Sequence, residues 1–184
     1  MGVAPPSVTG MLKKLAALGL VEHERYRGAV LTETGRRAAI ELTRHHRLLE
    51  MYLAQNLGLG IDAVHAEADR LEHALSEELE ARIDAELGFP TRDPHGDPIP
   101  DASLEVESDA LRPLTALAVG ERATIGRVPD GDSELLRYLS RLELVPGRRV
   151  ELRDSAPFDG PLTVAVGEEQ HALAREVAGL IGVV

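Results

Sequence analysis

The sequence predicts a mainly α-helical chain with a small β component. The expected parts are a partial winged helix-turn-helix, a helical middle and a C-terminal SH3-like β-barrel. Three observations predict this. A short helical stripe is followed by two brief apolar runs around a basic tip. Two long stretches then carry apolar residues at helical spacing. From residue 114 the pattern changes to short strand-like runs rich in glycine. The expected divisions are residues 1–40, 41–100, a linker at 101–113, and 114–184.

Residues 6–18 read as a helix. Ser7 can cap it, Val8, Met11, Leu12, Leu15 and Leu18 form its apolar stripe, and Gly19 ends it. Residues 20–31 read as a hairpin whose tip is Arg25-Tyr26-Arg27-Gly28. Thr32 reads as the cap of a long helix that runs to about Leu57 and closes at Gly58. A second long helix is expected over 62–87, capped by Asp62, with Val64, Ala68, Leu71, Leu75 and Leu79 on its apolar face. Residues 89–113 hold five prolines and several acids, the composition of a loop and linker. Beyond 114, strands are expected at 123–125, 149–152 and 162–166, and one helix at 132–143.

The chain has 184 residues, 43% of them hydrophobic, enough for a sizeable core. It has no cysteine, which excludes disulfides, thiolate zinc sites and cysteine catalysis. Its apolar runs are too short to span a bilayer, and the first twenty residues show no signal-peptide core. A cytoplasmic protein with no membrane partner is expected. The net charge of −11 argues at first against nucleic acid. Its distribution reverses that: residues 1–47 carry +4, residues 48–110 carry −13 and residues 111–184 carry −2. A basic first quarter suits phosphates, and an acidic middle suits cations. Three tyrosines and two phenylalanines are too few for a base-stacking platform.

Two groups of residues carry chemistry. His46 and Glu50 stand four apart, so they share a helix face. His65, Asp69, Glu72 and His73 fall on one stripe of the next expected helix. Imidazole and carboxylate together suit a divalent cation. Read blandly, the first is a surface pair and the second a solvated acidic face with incidental histidines. His45 is expected to point elsewhere, about 100° around the helix. His23, His95 and His171 read as loop or surface residues. Upstream, Pro6, Ser7, Thr9 and Lys13 lie at the start of a helix that can reach bases and phosphates. Arg25 and Arg27 on the hairpin suit phosphate or minor-groove contact. A capped amphipathic helix and a charged hairpin tip would look the same. No HExxH, Gly-x-Ser-x-Gly or Gly-Lys-Ser/Thr motif is present, and the ferritin-like pattern of a Glu-x-x-His step on each of two helices fails, because Glu72 and His73 are adjacent and Glu50 follows His46. Metal ligands beside a DNA reader imply a metal-sensing regulator.

These residues resemble the diphtheria toxin repressor and manganese transport regulator family of metal-dependent repressors. The matching stretches are Pro6-Ser7-Val8-Thr9, the Arg25-Tyr26-Arg27-Gly28 wing, His46 through Glu50, Val64 through His73, and His95-Gly96-Asp97-Pro98-Ile99-Pro100. The C-terminal segment is similar to the family's SH3-like domain, itself related to the ferrous-iron transport A protein. The resemblance implies that 41–100 binds metal and dimerises. It implies one site from His46, Glu50 and His65, and a controlling site that includes Asp69, Glu72 and His73. Iron-type members often carry cysteine where Asp69 stands, whereas manganese-type members carry a carboxylate. Mn(II) is therefore expected first and Fe(II) second. Asp130, Asp132 and Glu134 stand where the SH3-like domain can donate ligands.

The family has a helix and half of its helix-turn-helix before the recognition helix, and that first helix supplies ligands to the controlling site. This chain starts almost at the recognition helix, so an upstream in-frame helix or a truncated form is expected. Gly10 stands where some relatives place a longer base-contacting residue. The expected function is a homodimeric, metal-activated repressor of metal-transport genes that reads double-stranded operator DNA. No small-molecule substrate is expected. The alternatives are an Fe(II)-dependent repressor of the same family or a dinuclear metalloenzyme.

Overall fold

The computed structural model describes residues 5–24 and 28–184, with side chains from Val8 onward except Glu24. Arg25 and Arg27 lie outside the described residues, as do the side chains of Pro6 and Ser7.

Helix α1 spans Pro5–Ala17. Two prolines open it, where the first-turn amides lack intrahelical partners anyway. Ser7 therefore sits inside the first turn and is not the cap the sequence suggested. Gly19, at φ +71°, reverses the chain after the helix. Strand β1 (Val21–Glu24) then pairs antiparallel with β2 (Gly28–Leu31), Val21 opposite Leu31.

Thr32 joins this unit to helix α2 (Glu33–Gln55). Its hydroxyl donates to the Gly19 carbonyl at 2.7 Å and accepts from the Gly35 amide at 3.0 Å. Gly35 packs directly on the preceding turn: a Cβ there would lie 1.9 Å from the Leu20 carbonyl oxygen. Only glycine permits that approach.

The second long helix is not continuous. Helix α3 ends at Leu71 (Ile61–Leu71), a single 3-10 turn follows at Glu72–Ala74, and α4 begins at Glu77 (Glu77–Glu86). The break is written in Ser76, whose side chain caps α4 by accepting from the Leu79 amide at 3.3 Å. Glu77, Glu78 and Glu80 in the next turn complement the new helix dipole. Asp62 is likewise not a cap. Gly60 holds that position, and Asp62 faces Arg137 at 3.3 Å.

Helices α2, α3 and α4 close over a core of Leu48, Leu49, Leu53, Val64, Ala68, Ile83 and Ile99. Arg44 is buried at the seam, donating to Glu80 and Asp84 on α4 and to the Pro100 carbonyl, each at 2.6 Å. The segment expected to be linker is in part interior. Between Thr91 and Ile99 it folds into a tight turn whose Asp93, His95 and Ile99 are buried.

The C-terminal unit is a six-stranded antiparallel sheet in the order β3-β8-β4-β5-β6-β7. Its strands are β3 (Arg112–Pro113), β4 (Arg122–Arg127), β5 (Arg149–Ser155), β6 (Leu162–Val166), β7 (Glu169–Leu173) and β8 (Gly182–Val183). The sheet encloses a second core with helices α5 (Ser133–Arg141) and α6 (Arg175–Leu180). The three expected strands and the expected helix are all there. β3, β8 and α6 had escaped the sequence pattern because they are short, and β7 because Glu169, Gln170 and His171 give it no apolar run. Asp132 caps α5, accepting from the Glu134 and Leu135 amides.

Gly35→Ala should destabilise the junction of α1, the hairpin and α2 by about 1–3 kcal/mol, because a methyl cannot share space with a carbonyl. Scanning calorimetry should show a midpoint lowered by several degrees, and an unchanged midpoint would show that the close approach is not retained in solution.

Candidate metal centre

Helix geometry places the first ligands. His46 and Glu50 lie one turn apart on α2, and His65 and Asp69 one turn apart on the facing side of α3. The 3-10 turn after α3 swings Glu72 inward. Three ring and carboxylate atoms then converge: His46 Nε2, His65 Nδ1 and Glu50 Oε1 lie at 3.0 Å from one another. On its other side His46 Nδ1 meets Glu72 Oε2 at 2.7 Å and Asp69 Oδ1 at 3.6 Å. His46, Glu50 and His65 thus form one group, and His46, Asp69 and Glu72 a second.

His73 is not brought in. It follows Glu72 directly, so the turn that points Glu72 inward sends His73 out, with its side chain 72% exposed. His45 also points away, as its place on the helix requires, and reaches Glu80 at 2.6 Å.

A third group was missed in the sequence. Glu50, Asp93 and His95 are all buried and bring one ligand atom each within 4.8 Å of the others. His95 lies in a turn, as its reading as a loop residue expects, but it is fully enclosed and not at the surface. Its Nε2 donates to the Ile61 carbonyl at 2.8 Å. That bond fixes the tautomer of the neutral ring and turns the Nδ1 lone pair toward Glu50 Oε2, 3.6 Å away. Neither of these two facing atoms has a hydrogen-bond partner. The clue lay in Asp93-Pro94-His95-Gly96, where a chelating pair sits in a turn; proline-rich composition disguised it. Among the described residues Asp130, Asp132 and Glu134 join no such group.

Electrostatics identify what the cluster wants. Burial alone would disfavour a charged His46, but Glu50 and then Glu72 outweigh it and raise the pKa to about 9. Burial likewise opposes charge on His95, and Glu50, the Ile61 carbonyl and Asp93 raise it to about 9. Burial and the neighbouring Glu50 charge push Asp93 up to about 6. Glu50 itself, against the cost of burial, is held well below the usual carboxylate range by His46 and His95. Protons thus bridge the site when nothing else does. The chemistry fits a divalent cation: lone pairs of the buried Glu50 face those of His65 and His95 at 3.0–3.6 Å. Ligand bonds of about 2.1 Å give polyhedron edges of roughly 3.0–3.4 Å. The carbonyl behind His95 is the outer support that ligating imidazoles commonly have.

The DNA-facing expectations fall on α1, where Thr9 and Lys13 are both exposed. His23 lies half-buried on β1, and His171 on β7 stands 3.6 Å from Glu169.

Raised histidine pKa values stabilise the fold fully below the unfolded value of 6.5, and that contribution is lost as pH rises through about 9. Without metal, the thermal midpoint should therefore fall between pH 6.5 and 9, and Glu50→Gln should flatten the fall. Stabilisation by added Mn(II) should grow over the same range, as the ion displaces those protons. A wild-type midpoint that is flat across this window would contradict the assignment.

Comparison with known proteins bears on the whole chain. Residues 1–29 match the iron-dependent repressor N-terminal DNA-binding domain, 32–101 its metal-binding and dimerisation domain, and 112–184 the FeoA domain. The iron-dependent repressor IdeR of Mycobacterium tuberculosis is 34% identical, over 97% of this chain and 82% of its own length. The diphtheria toxin repressor of Corynebacterium diphtheriae is 40% identical, over 96% of this chain and 81% of its own. A solved manganese-dependent transcriptional repressor in complex with manganese superposes with a TM-score of 0.89 at 41% identity, covering 100% of this chain and 86% of that one. The order of helix, hairpin, helical metal cluster and antiparallel sheet is therefore an inherited one, and the chain belongs to the family of iron- and manganese-dependent transcriptional repressors.

Proposed function

We propose that this chain is a homodimeric, cytoplasmic repressor of metal-transport genes, activated by Mn(II) in the first place and Fe(II) in the second. The observation that carries the reading is Glu50. It is buried to 1% exposure with one oxygen against His46 and His65 and the other toward His95. Nothing but protons or a cation can hold such a carboxylate among imidazole lone pairs. The donors are all nitrogen and oxygen, with no thiolate, and hard donors favour Mn(II) over softer ions, although intrinsic affinity still follows the Irving–Williams order.

His46, Glu50 and His65, with Asp93 and His95 behind them, would hold one ion; Asp69, Glu72 and His73 would belong to the controlling site. A bound divalent ion supplies positive charge that bridges elements far apart in sequence. The chain's own residues set what is bridged. Glu50 ties α2 to the 93–97 turn, and His65 and Asp69 commit α3. Glu72 accepts from His46 in this structure, so releasing it toward Asp69 requires a change at His46. The two sites are thereby coupled through one ring. His73 would have to turn inward from its exposed position, and that movement is a natural difference between resting and active arrangements.

No described helix is long and apolar enough to cross a membrane. Leu57, Leu71 and Leu79 leave an exposed apolar face between α2 and α4, which suits a second copy of the chain. Two copies would then present α1, with Pro6, Ser7, Thr9 and Lys13, and the Arg25–Arg27 wing to two half-sites of double-stranded DNA. The divisions at 1–40, 41–100, 101–113 and 114–184 express these roles.

The test is a titration of Mn(II) and Fe(II) that follows dimer mass and binding to the promoter of a metal-transport gene. Operator affinity should rise about 100-fold with metal, roughly 2.7 kcal/mol of coupling. Glu72→Ala and His73→Ala should abolish the rise while far-ultraviolet circular dichroism stays unchanged. Retention of metal-dependent binding in either variant would remove that residue from the controlling site. A dinuclear metalloenzyme would instead turn over a substrate and show no operator affinity.

A further inference from the structure

The 93–97 turn stands between the helical unit and the C-terminal sheet, and it is bound on both sides. Internally, the Asp93 amide donates to the Asp97 carbonyl at 3.0 Å, and Asp93 Oδ1 accepts from the His95 and Asp97 amides at 2.9 Å each. Toward the helices, His95 Nε2 donates to the Ile61 carbonyl at 2.8 Å, and Arg47 lies 3.6 Å from Asp93.

Toward the sheet, the turn meets the end of β4. The Val128 amide donates to the His95 carbonyl at 2.9 Å. Gly96 packs on Gly126 so closely that a Cβ would lie 1.9 Å from the Gly126 carbonyl oxygen, and its φ of +93° also calls for glycine. Arg127 reaches Asp97 and Asp109 at 3.4 Å each. Arg92 closes the frame, donating to the Gly96 carbonyl at 2.7 Å and to Asp109 at 2.6 Å. One residue, His95, therefore holds Glu50's side of the cluster with its ring and the C-terminal unit with its carbonyl.

We propose that the SH3-like unit is a positioning element of the Glu50–Asp93–His95 group: docked through Arg127, Gly126 and Val128, it holds the turn so that His95 faces Glu50. Cation binding at that group and docking of the unit then reinforce one another. This rests on the reading of the group as a metal site. The unit contributes no ligand to the group among the described residues; it also meets the start of α3, where Arg137 lies 3.3 Å from Asp62 and Ile61 packs on its core, but the turn is the contact that carries two of the group's members, Asp93 and His95. Linkage makes the effect reciprocal: whatever factor docking adds to cation affinity, the cation adds to docking.

The experiment uses the full chain, with Mn(II) alone as probe. Arg127→Glu opposes Asp97 and Asp109 with a third acid while touching no candidate ligand, and Arg127→Lys retains the charge. Small-angle scattering reads whether the unit detaches, and calorimetric titration reads Mn(II) affinity. Arg127→Glu should enlarge the metal-free particle and weaken Mn(II) binding about tenfold, saturating Mn(II) should restore compactness, and Arg127→Lys should stay near wild type. On a His95→Ala background, Arg127→Glu should cause no further loss of affinity. The proposal is overturned if Arg127→Glu leaves the unit docked, or releases it with Mn(II) affinity unchanged. If His95→Ala binds Mn(II) as wild type does, the metal-site reading of the group fails and the proposal goes with it.

Discussion

The structure is organised around a carboxylate that has no business being dry. Glu50 sits at the centre of the helical unit, 1% exposed. Stripping an ionised carboxylate of water costs several kcal/mol unless opposite charge and hydrogen bonds replace the lost solvation. Here the replacement comes from three imidazoles on three separate segments: His46 on α2, His65 on α3 and His95 in the 93–97 turn. The tertiary arrangement of those segments is thus written into one charge. Removing the carboxylate would remove the reason for the imidazoles to face inward. Removing an imidazole would leave the charge uncompensated.

The run Arg44-His45-His46-Arg47 shows how the helix separates permanent from exchangeable support. Successive residues diverge by about 100°, so His46 faces the cluster while Arg44 and Arg47, three apart and close on the helix, both reach the 98–100 segment. Arg44 holds Glu80, Asp84 and the Pro100 carbonyl. His45 meets Glu80. His46 stands between Glu50 and Glu72. Arg47 donates to the Pro98 carbonyl and lies near Asp93 and Asp97. The guanidinium groups keep their charge at every physiological pH, so the acids they hold stay held. The His46 imidazole between them can give up its proton, and under the proposed function a cation takes its place.

Much of this was legible in the chain. Spacing alone put His46 with Glu50 and His65 with Asp69, because a helix of either register forces those pairs onto one face. Thr32 announced α2, and the strands carrying alternating apolar residues announced the sheet. The failures have physical causes. The 62–87 segment reads as one helix because its apolar stripe continues, yet Ser76 with three following acids is a stronger local signal than the stripe. That break decides the site, since it turns Glu72 in and His73 out. His95 was lost for the opposite reason. Its neighbours Pro94, Gly96, Pro98 and Pro100 favour turns, and turns are usually wet. This one is dry because Ile99 enters the helical core and Gly96 lies against β4, facts that exist only once the two units meet. Propensity describes a segment alone; burial is decided by what lands on it.

The same logic explains how a chain with net charge −11 can serve a polyanion. The excess of acid lies in residues 48–110, and its innermost members are those that face imidazoles and arginines. These groups do not add to a diffuse negative field, because each has a partner within a few ångströms and screening removes what remains beyond a Debye length. The basic residues Lys13 and Lys14 of α1 stand at the other end of the sequence, and α2 lies between them and the cluster. Helix α2 fixes the position of one relative to the other. Its first turn is fastened to the hairpin by Thr32 and Gly35, and its later turns present His46 and Glu50. Under the proposed function, a rearrangement that tightened α3 and the 93–97 turn onto Glu50 would act on the same helix whose first turn is fastened to α1 and the hairpin.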